Sequence, residues 1–418
     1  MTTATDVLIV GGGPAGASTA FQLAQRGIRV RILERARFPR AKACAECLSP
    51  QASRLLDDMG VLAALEPRGA QLRGMIVRAP GGASARGDYA APHGFRGFRD
   101  RGLAIRRAVL DDALLQSARA AGAHVTQRVR VTDLARDARG GGRVRGVTIL
   151  RDDGTSEELH ARFVVGADGL RSVVARRLRL AHAHAWPRRL ALVAHYRDVG
   201  DVTEYGEMHI EPDGFVGIAD VGEGITTVAA VFPARRAREI APDRAAFLDA
   251  WLASKPHLRS RFGPARRLEL PTAIGPFASH ARRAQHPGAL LVGDAADFFD
   301  PFTGEGIYAA LRGGELATDA IVSALTDGEQ HERDVLTAYD HARRREFGGK
   351  WWVERLIGVG VALPVVANRA TRALAANKHM ADLLVGVTGD FVPPRQVLHA
   401  GYLARLFLSP LPLPVGPS

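Results

Sequence analysis

The sequence predicts an α/β fold in which a parallel-sheet domain is interleaved with an antiparallel β-sheet domain and followed by C-terminal helices. Three observations carry this. First, an apolar run, Val7 to Val10, leads into Gly11-Gly12-Gly13-Pro14-Ala15-Gly16, a helical stretch and a second apolar run closing at Glu34. Second, two later apolar runs end beside an acid flanked by small residues, Phe163 to Gly166 before Asp168-Gly169 and Leu290 to Gly293 before Asp294. Third, Leu190 to Val199, Glu204 to Glu211, Gly214 to Val221 and Ile225 to Phe232 read as short strands separated by turn residues. The first two observations mark a Rossmann-like βαβ unit with returning strands, and the third marks a meander.

The spacing of the first motif has a physical basis. Gly11 allows a tight turn, Gly13 lets backbone approach a pyrophosphate, and Gly16 lets the helix pack closely on the strand. The helix N-terminus then faces the phosphates. Glu34 closes the second strand about 20 residues downstream, where a carboxylate accepts hydrogen bonds from an adenosine ribose and disfavours a 2′-phosphate. Asp168 and Asp294, each at the end of a strand, can reach ribityl hydroxyls. The turn Gly304-Glu305-Gly306 after Pro301 can present N–H groups to the pyrimidine edge of an isoalloxazine, where negative charge gathers on reduction.

Taken together, these segments resemble the FAD-binding signatures of the superfamily that contains para-hydroxybenzoate hydroxylase, flavin halogenases and geranylgeranyl reductases, over residues 5 to 345. The resemblance implies a glutathione-reductase-like FAD domain. It also implies NAD(P)H as a transient electron donor over the FAD site, since no second G-x-G-x-x-G is present. Phe38-Pro39-Arg40 with Lys42, Cys44, Glu46, Leu48, Ser49 and Pro50 is similar to the R-x-K-x-C-G-E-x-L-S loop of the geranylgeranyl reductase branch, with Ala45 where the pattern has Gly. Thr303 to Ile307 also matches that branch, whereas aromatic hydroxylases usually carry G-Q-G-M-N there. Asp297 stands where those hydroxylases often have His. Arg107, followed by Leu110-Asp111 and Leu114, matches a helix start whose arginine approaches FAD in relatives. The resemblance thus assigns Gly11, Gly13, Ala15, Gly16, Glu34, Arg35, Arg40, Cys44, Ala45, Cys47, Arg107, Val131, Asp168, Gly169, Gly293, Asp294, Gly304, Gly306 and Ile307 to the cofactor, Val131 through its backbone at the adenine.

Two departures bear on activity. The halogenase W-x-W-x-I-P signature and the aromatic Y-x-W-x-F-P stretch of prenyl reductases are both missing. The corresponding region, Met208 to Ala219, carries small residues instead. Halogenation is therefore not expected, and monooxygenation stands ahead of ene-reduction of prenyl chains. In the first reading NAD(P)H, or a separate flavin reductase, reduces FAD, and O₂ then yields the oxygen atom transferred to substrate. In the second, reduced FAD gives a hydride to a C=C bond and a nearby acid gives the proton. A flavoprotein-fold binding subunit without turnover is the third.

FAD carries the hard chemistry, so no triad is needed. Pro301, Gly304, Glu305 and Gly306 form the expected flavin environment, with Glu305 either a proton relay or an acid stabilised by a helix dipole. His195, Tyr196, His209 and Glu211 are polar candidates on the substrate sheet. His209 and Glu211 share a face by period-two alternation and could pair as acid and base, while the plainer expectation is that they face solvent. Asp297, Phe298 and Phe299 are expected to border a pocket suited to a lipophilic substrate.

The remaining composition narrows the class. A chain of 418 residues is long enough for two or three domains, and 46% apolar content suits a globular protein. The net charge of +12 does not mark a nucleic-acid binder, because the arginines are scattered and only Lys42, Lys255, Lys350 and Lys378 are lysines. The first strand begins within six residues, so a cytoplasmic protein is expected. Leu356 to Ala367, broken by Pro364, is too short to span a bilayer. Trp351 to Ala367 reads as a buried helix, the alternative being a surface in peripheral contact with membrane or lipid. Cys44 and Cys47 form a C-x-x-C that reads either as free thiols near the flavin or as a flavin-linked disulfide, and no metal site is expected. The motifs place the FAD domain at 1–75, 100–183 and 272–345, the substrate sheet at 76–99 and 184–271 with a helix over 243–262, and a helical region at 346–418. A hairpin turn is expected at Arg139 to Gly142 and a Pro-rich tail from Ser409.

Overall fold

Val7–Val10 is buried along its whole length, as is Phe163–Gly166, because a strand covered on both faces has no wetted side to carry polar residues. In the computed structural model, which describes residues 5–137, 142–184, 186–328 and 330–408, these two strands are the centre of a six-stranded sheet. Its order is Gln285–His286, Ala289–Leu291, Phe163–Gly166, Val7–Val10, Val30–Glu34, His124–Gln127. All neighbours run parallel except the edge pair Gln285–His286 with Ala289–Leu291. The order in which strands are added reverses between Val7–Val10 and Phe163–Gly166, which opens the crevice at their carboxyl ends where such sheets bind ligands.

The helix Pro14–Gln25 leaves that crevice, with an extended Gly13 before it and Pro14 at its first position. It packs beside the long helix Gly306–Asp327, where Ser18 Oγ donates to Leu311 O at 2.9 Å. Two glycines make the close turn from strand to helix geometrically obligatory. Gly11 has φ of 102°, and a Cβ on Gly16 would lie 1.9 Å from Gly11 O.

The second sheet has eight strands. Along its main path they run Arg266–Arg267, Arg189–Arg197, Thr226–Pro233, Gly214–Asp220, Tyr205–Glu211, Gly74–Arg78, Ser84–Asp88, and Thr272–Ile274 pairs with Arg189–Arg197. The meander is antiparallel, but Gly74–Arg78 joins Tyr205–Glu211 in parallel. Alternation along each strand separates two faces. Leu192, Ala194, Val216, Ile218, Val228 and Phe232 pack under helices Arg244–Ala253 and Pro256–Phe262. Ala191, Val193, Met208, Phe215, Ala229 and Val231 point the other way, toward the parallel-sheet domain.

The chain continues in helices Glu332–Val361, Pro364–Ala376, Lys378–Thr388, Arg395–Leu398 and Ala400–Phe407. Lys378–Thr388 lies on the edge strand Ser84–Asp88, where Asp382 accepts the Asp88 N–H at 2.8 Å. No helix among the described residues is long and apolar enough to cross a membrane. The segment expected as one buried helix is broken before Pro364 and is buried on one side only. Val353 and Gly358 face inward, while Trp352 and Leu356 remain 60% and 47% exposed. The strands on either side of the expected turn at Arg139 to Gly142 pair antiparallel. The turn residues before Gly142 and the tail from Ser409 lie outside the described residues.

Candidate active site

One cavity, open at its mouth, runs from the glycine turn to the inward face of the second sheet. At its first end Gly13 lines the wall, and a Cβ there would meet nothing nearer than Arg40 Nη2 at 3.6 Å. The backbone at Gly13 therefore borders open space, as a pyrophosphate cradle requires, whereas Gly11 and Gly16 are fixed by packing. Glu34 is buried and holds the turn from behind, accepting the N–H of Gly12 and of Ala36 at 2.8 Å each. Both oxygens keep lone pairs available for a ribose hydroxyl.

The next wall is built by the loop before the short strand Cys47–Leu48 and by the start of helix Arg107–Ala120. Arg107 is buried and bidentate to Asp111, with both contacts at 2.7 Å, and Asp111 also takes Arg40 at 3.1 Å. Burial disfavours the Arg107 cation, but Asp111 more than offsets this and its pKa is raised. Cys44, Ala45 and Cys47 line the cavity, and both cysteines are free thiols. Burial, with smaller contributions from Cys44 and Glu46, pushes the Cys47 thiol up to about 12, so it stays protonated near neutral pH.

Gly169, Gly293 and Asp294 close the far side, with Lys42 Nζ 3.8 Å from Asp294. Asp168 accepts the Val173 N–H at 2.6 Å through Oδ2, while its buried Oδ1 has no partner among the described residues. Burial raises its pKa, against the hydrogen bonds from Ser172 and Val173. Pro301, Gly304, Glu305, Gly306 and Ile307 line the same wall. Gly304 has φ of 73° with nothing near its Cβ position, and the buried Thr303 Oγ1 has no partner among the described residues. Glu305 is 4% exposed, and its Oε1 likewise has no partner among the described residues. Burial raises the Glu305 carboxyl well above the usual range, with Asp390 and Glu354 adding to the effect and Lys350 opposing it. A backbone cradle with room at Gly13, two helix N-termini and several unsatisfied polar atoms on one continuous wall fit FAD.

The second sheet supplies the remaining wall. Ala191, Val193, Met208, Gly217, Ala229 and Val231 line it, with Phe215 the one bulky ring. Phe277, Phe298 and Phe299 face them. Acids from distant segments complete the lining. Asp300 pairs with Arg189 and Asp297 with Arg343, and burial against the opposing arginine pushes Asp297 up to about 6. Glu354 is pushed up to about 8, by burial first and the charge of Asp300 second. Sequence motifs could not have revealed Arg189, Asp300, Arg343 and Glu354 as neighbours, because they come from three separate places in the chain, a strand, a turn and the helix Glu332–Val361, and carry no local signature.

Several sequence candidates fall elsewhere. Arg35 is exposed, and Val131 is buried in the strand Val129–Arg136 without lining the cavity. Gly11, Gly16, Glu34, Arg40 and Asp168 support the lining from behind it. His209 requires correction. It faces neither the cavity nor solvent, and it bonds Glu207 at 2.8 Å rather than pairing with Glu211. Helix Pro256–Phe262 covers that face and adds Arg261, which holds Glu207 at 2.6 and 2.9 Å. Glu211 sits 3.6 Å from His257 and 3.9 Å from Lys255. Tyr196 also turns to the helical side, with its hydroxyl 3.5 Å from Asp249. His195 is drawn toward the cavity loop, 2.7 Å from Glu46.

The FAD binding domain family matches residues 4–348. Conditioned medium factor receptor 1 of Dictyostelium discoideum is 26% identical over 402 residues, covering 92% of this chain and 76% of that protein. Digeranylgeranylglycerophospholipid reductase of Methanosarcina acetivorans is 28% identical, covering 82% and 81%. Menaquinone reductase of Mycolicibacterium smegmatis is 27% identical, covering 94% and 95%. Among solved structures, a flavoprotein/dehydrogenase from Cytophaga hutchinsonii superposes with a TM-score of 0.81 at 23% identity over 97% of each chain. The flavin-dependent halogenase CmlS superposes with a TM-score of 0.74 at 23% identity, over 84% of this chain and 63% of that longer one. These two likenesses are of fold.

Proposed function

The chain belongs to the FAD binding domain family and is an FAD-dependent oxidoreductase, and from that premise we propose that it is a monooxygenase of a lipophilic small molecule. The observation that carries this is the sheet wall, where Ala191, Val193, Met208, Gly217, Ala229 and Val231 present only apolar or absent side chains to the cavity. Oxygen transfer from a flavin needs such a dry wall, because water diverts the activated oxygen. The polar residues of the strand Tyr205–Glu211 that could wet it, Glu207 and His209, are turned to the opposite face.

When bound, FAD supplies the electron storage and the O₂ chemistry. Gly13 and the N-terminus of Pro14–Gln25 would hold its pyrophosphate, Asp294 its ribityl hydroxyls, and Gly304 to Gly306 its pyrimidine edge. Phe277, Phe298 and Phe299 orient an apolar substrate against the sheet. NAD(P)H, or a separate reductase, is the proposed electron source. Trp352, Leu356, Val359, Leu363 and Val365, all exposed on or just beyond the helix whose Trp351, Glu354 and Arg355 line the cavity, would let the protein rest on a membrane that carries its substrate.

A second reading, reduction of a prenyl C=C bond, is favoured by one feature of the wall. Glu354 lines the cavity and, pushed up to about 8, retains a proton near neutral pH that such a reduction would consume. The names of the archaeal and mycobacterial relatives lean the same way. Anaerobic stopped-flow reoxidation of the reduced holoenzyme separates the two. Reoxidation by O₂ that changes in kinetics when a lipophilic substrate is bound supports monooxygenation. Reoxidation by a prenylated alkene without O₂ overturns it in favour of the reductase.

A further inference from the structure

Glu46 has a left-handed backbone, φ of 64°, in a residue that is not glycine. Such a conformation costs about 1–3 kcal/mol and persists only where the surroundings impose it. Here its N–H reaches Cys44 Sγ at 3.3 Å, and Oε1 accepts the Arg107 N–H at 2.7 Å. This fixes the carboxyl in the cavity wall with its other oxygen aimed outward. That oxygen, Oε2, is 2.7 Å from His195 Nε2. The opposite ring nitrogen, Nδ1, is 2.7 Å from Glu269. Exposure rises along the line, from 2% for Glu46 through 17% for His195 to 46% for Glu269.

We propose that Glu269, His195 and Glu46 form a proton-conducting chain from solvent to the flavin cavity. It rests on FAD occupying that cavity, and holds whether oxygen or an alkene is the final acceptor. Reduction of FAD to its neutral form takes up a proton beyond the hydride or electrons delivered, and the apolar sheet wall carries no group that could supply one. In the chain, the His195 Nε2–H bond breaks as an O–H bond forms at Glu46 Oε2. Glu46 passes that proton to the acceptor in the cavity, while the neutral ring keeps its Nδ1–H, turns so that the freed nitrogen meets Glu269, takes there a proton that Glu269 has drawn from water, and turns back. One proton enters for each that leaves, and no electrons move. The groups facing this line are Arg107, Cys44 and Cys47 at the Glu46 end, and the two carboxylates about the imidazole. His195 and Glu269 act through Glu46 and are positioning residues. The alternative is an inert staple between the cavity loop and the sheet.

The test uses the FAD-loaded protein without substrate, oxygen or NAD(P)H. Flash photoreduction by a deazaflavin injects electrons, and a pH-indicator dye in weak buffer follows proton uptake. With His195→Gln, uptake slows by roughly tenfold or more and added imidazole restores it, while the visible FAD spectrum is unchanged. Glu269→Gln, at the exposed end, slows uptake to a smaller degree. Unchanged uptake in both variants, with a lower melting temperature in His195→Gln, would show a staple and overturn the proposal. Wild-type protein that acquires no flavin spectrum would overturn the cofactor reading itself, a separable failure.

Discussion

Glu34 reaches back beneath the glycine turn and accepts the Gly12 N–H at 2.8 Å. The carboxylate at the end of the second strand thus orders the turn on the first. Glu34→Ala leaves the N–H groups of Gly12 and Ala36 without their acceptor, at a cost of about 1–3 kcal/mol. The expected consequence is FAD affinity weakened by about tenfold or more, measured by flavin fluorescence titration. Affinity equal to wild type would show that the turn holds its shape unaided.

Gly13 and Gly16 separate binding from packing. A methyl group at position 16 would sit 1.9 Å from Gly11 O, so Gly16→Ala should lower stability by about 3 kcal/mol or more in the apo protein. At position 13 the added methyl has room, so Gly13→Ala should melt like wild-type apoprotein yet bind FAD poorly. Calorimetry with and without FAD distinguishes the two, and similar apo melting for both variants would contradict the assignment.

Those two glycines and Glu34 were legible in the sequence because a βαβ unit is local. Strand, turn, helix and acid fall within one short stretch, and each residue type has a steric or hydrogen-bonding reason at its position. The meander was legible through short strand-forming runs separated by turn residues. His209 was misread because alternation says which residues share a face and not what covers that face, and the helix Pro256–Phe262 arrives from later in the chain. The segment from Trp351 was misread for a related reason: apolar content alone does not divide a helix into its buried and exposed sides. The acids Asp300 and Glu354 and their arginine neighbours come together only through tertiary folding, as does the contact of His195 with Glu46.

Burial works against the His195 cation, but Glu46 and Glu269 outweigh it and raise its pKa above the ordinary 6.5. The charged contact should therefore stabilise the fold in full below about pH 6.5 and lose that contribution as pH rises through the higher folded-state value. The melting-temperature difference between wild type and His195→Gln should be largest in mild acid and shrink toward alkaline pH. A difference that grows with pH would reverse the sign and rule out a protonated His195.

The exposed Trp352 and Leu356 are 60% and 47% accessible beside the cavity lining. The double variant Trp352→Ser with Leu356→Ser should bind phosphatidylglycerol vesicles more weakly by about 3 kcal/mol, roughly a hundredfold, with its FAD spectrum intact. Vesicle flotation measures this, and equal flotation of the two proteins would remove the membrane contact from the account.

The most direct test of the proposed activity is isotopic. The FAD-loaded enzyme is incubated with an electron donor, a lipid extract containing phenolic and prenylated compounds, and ¹⁸O₂, and the products are read by mass spectrometry. Monooxygenation predicts a product that carries one labelled oxygen atom and requires both O₂ and the electron donor. A product that instead gains two hydrogens, carries no label and forms equally well without O₂ would contradict it.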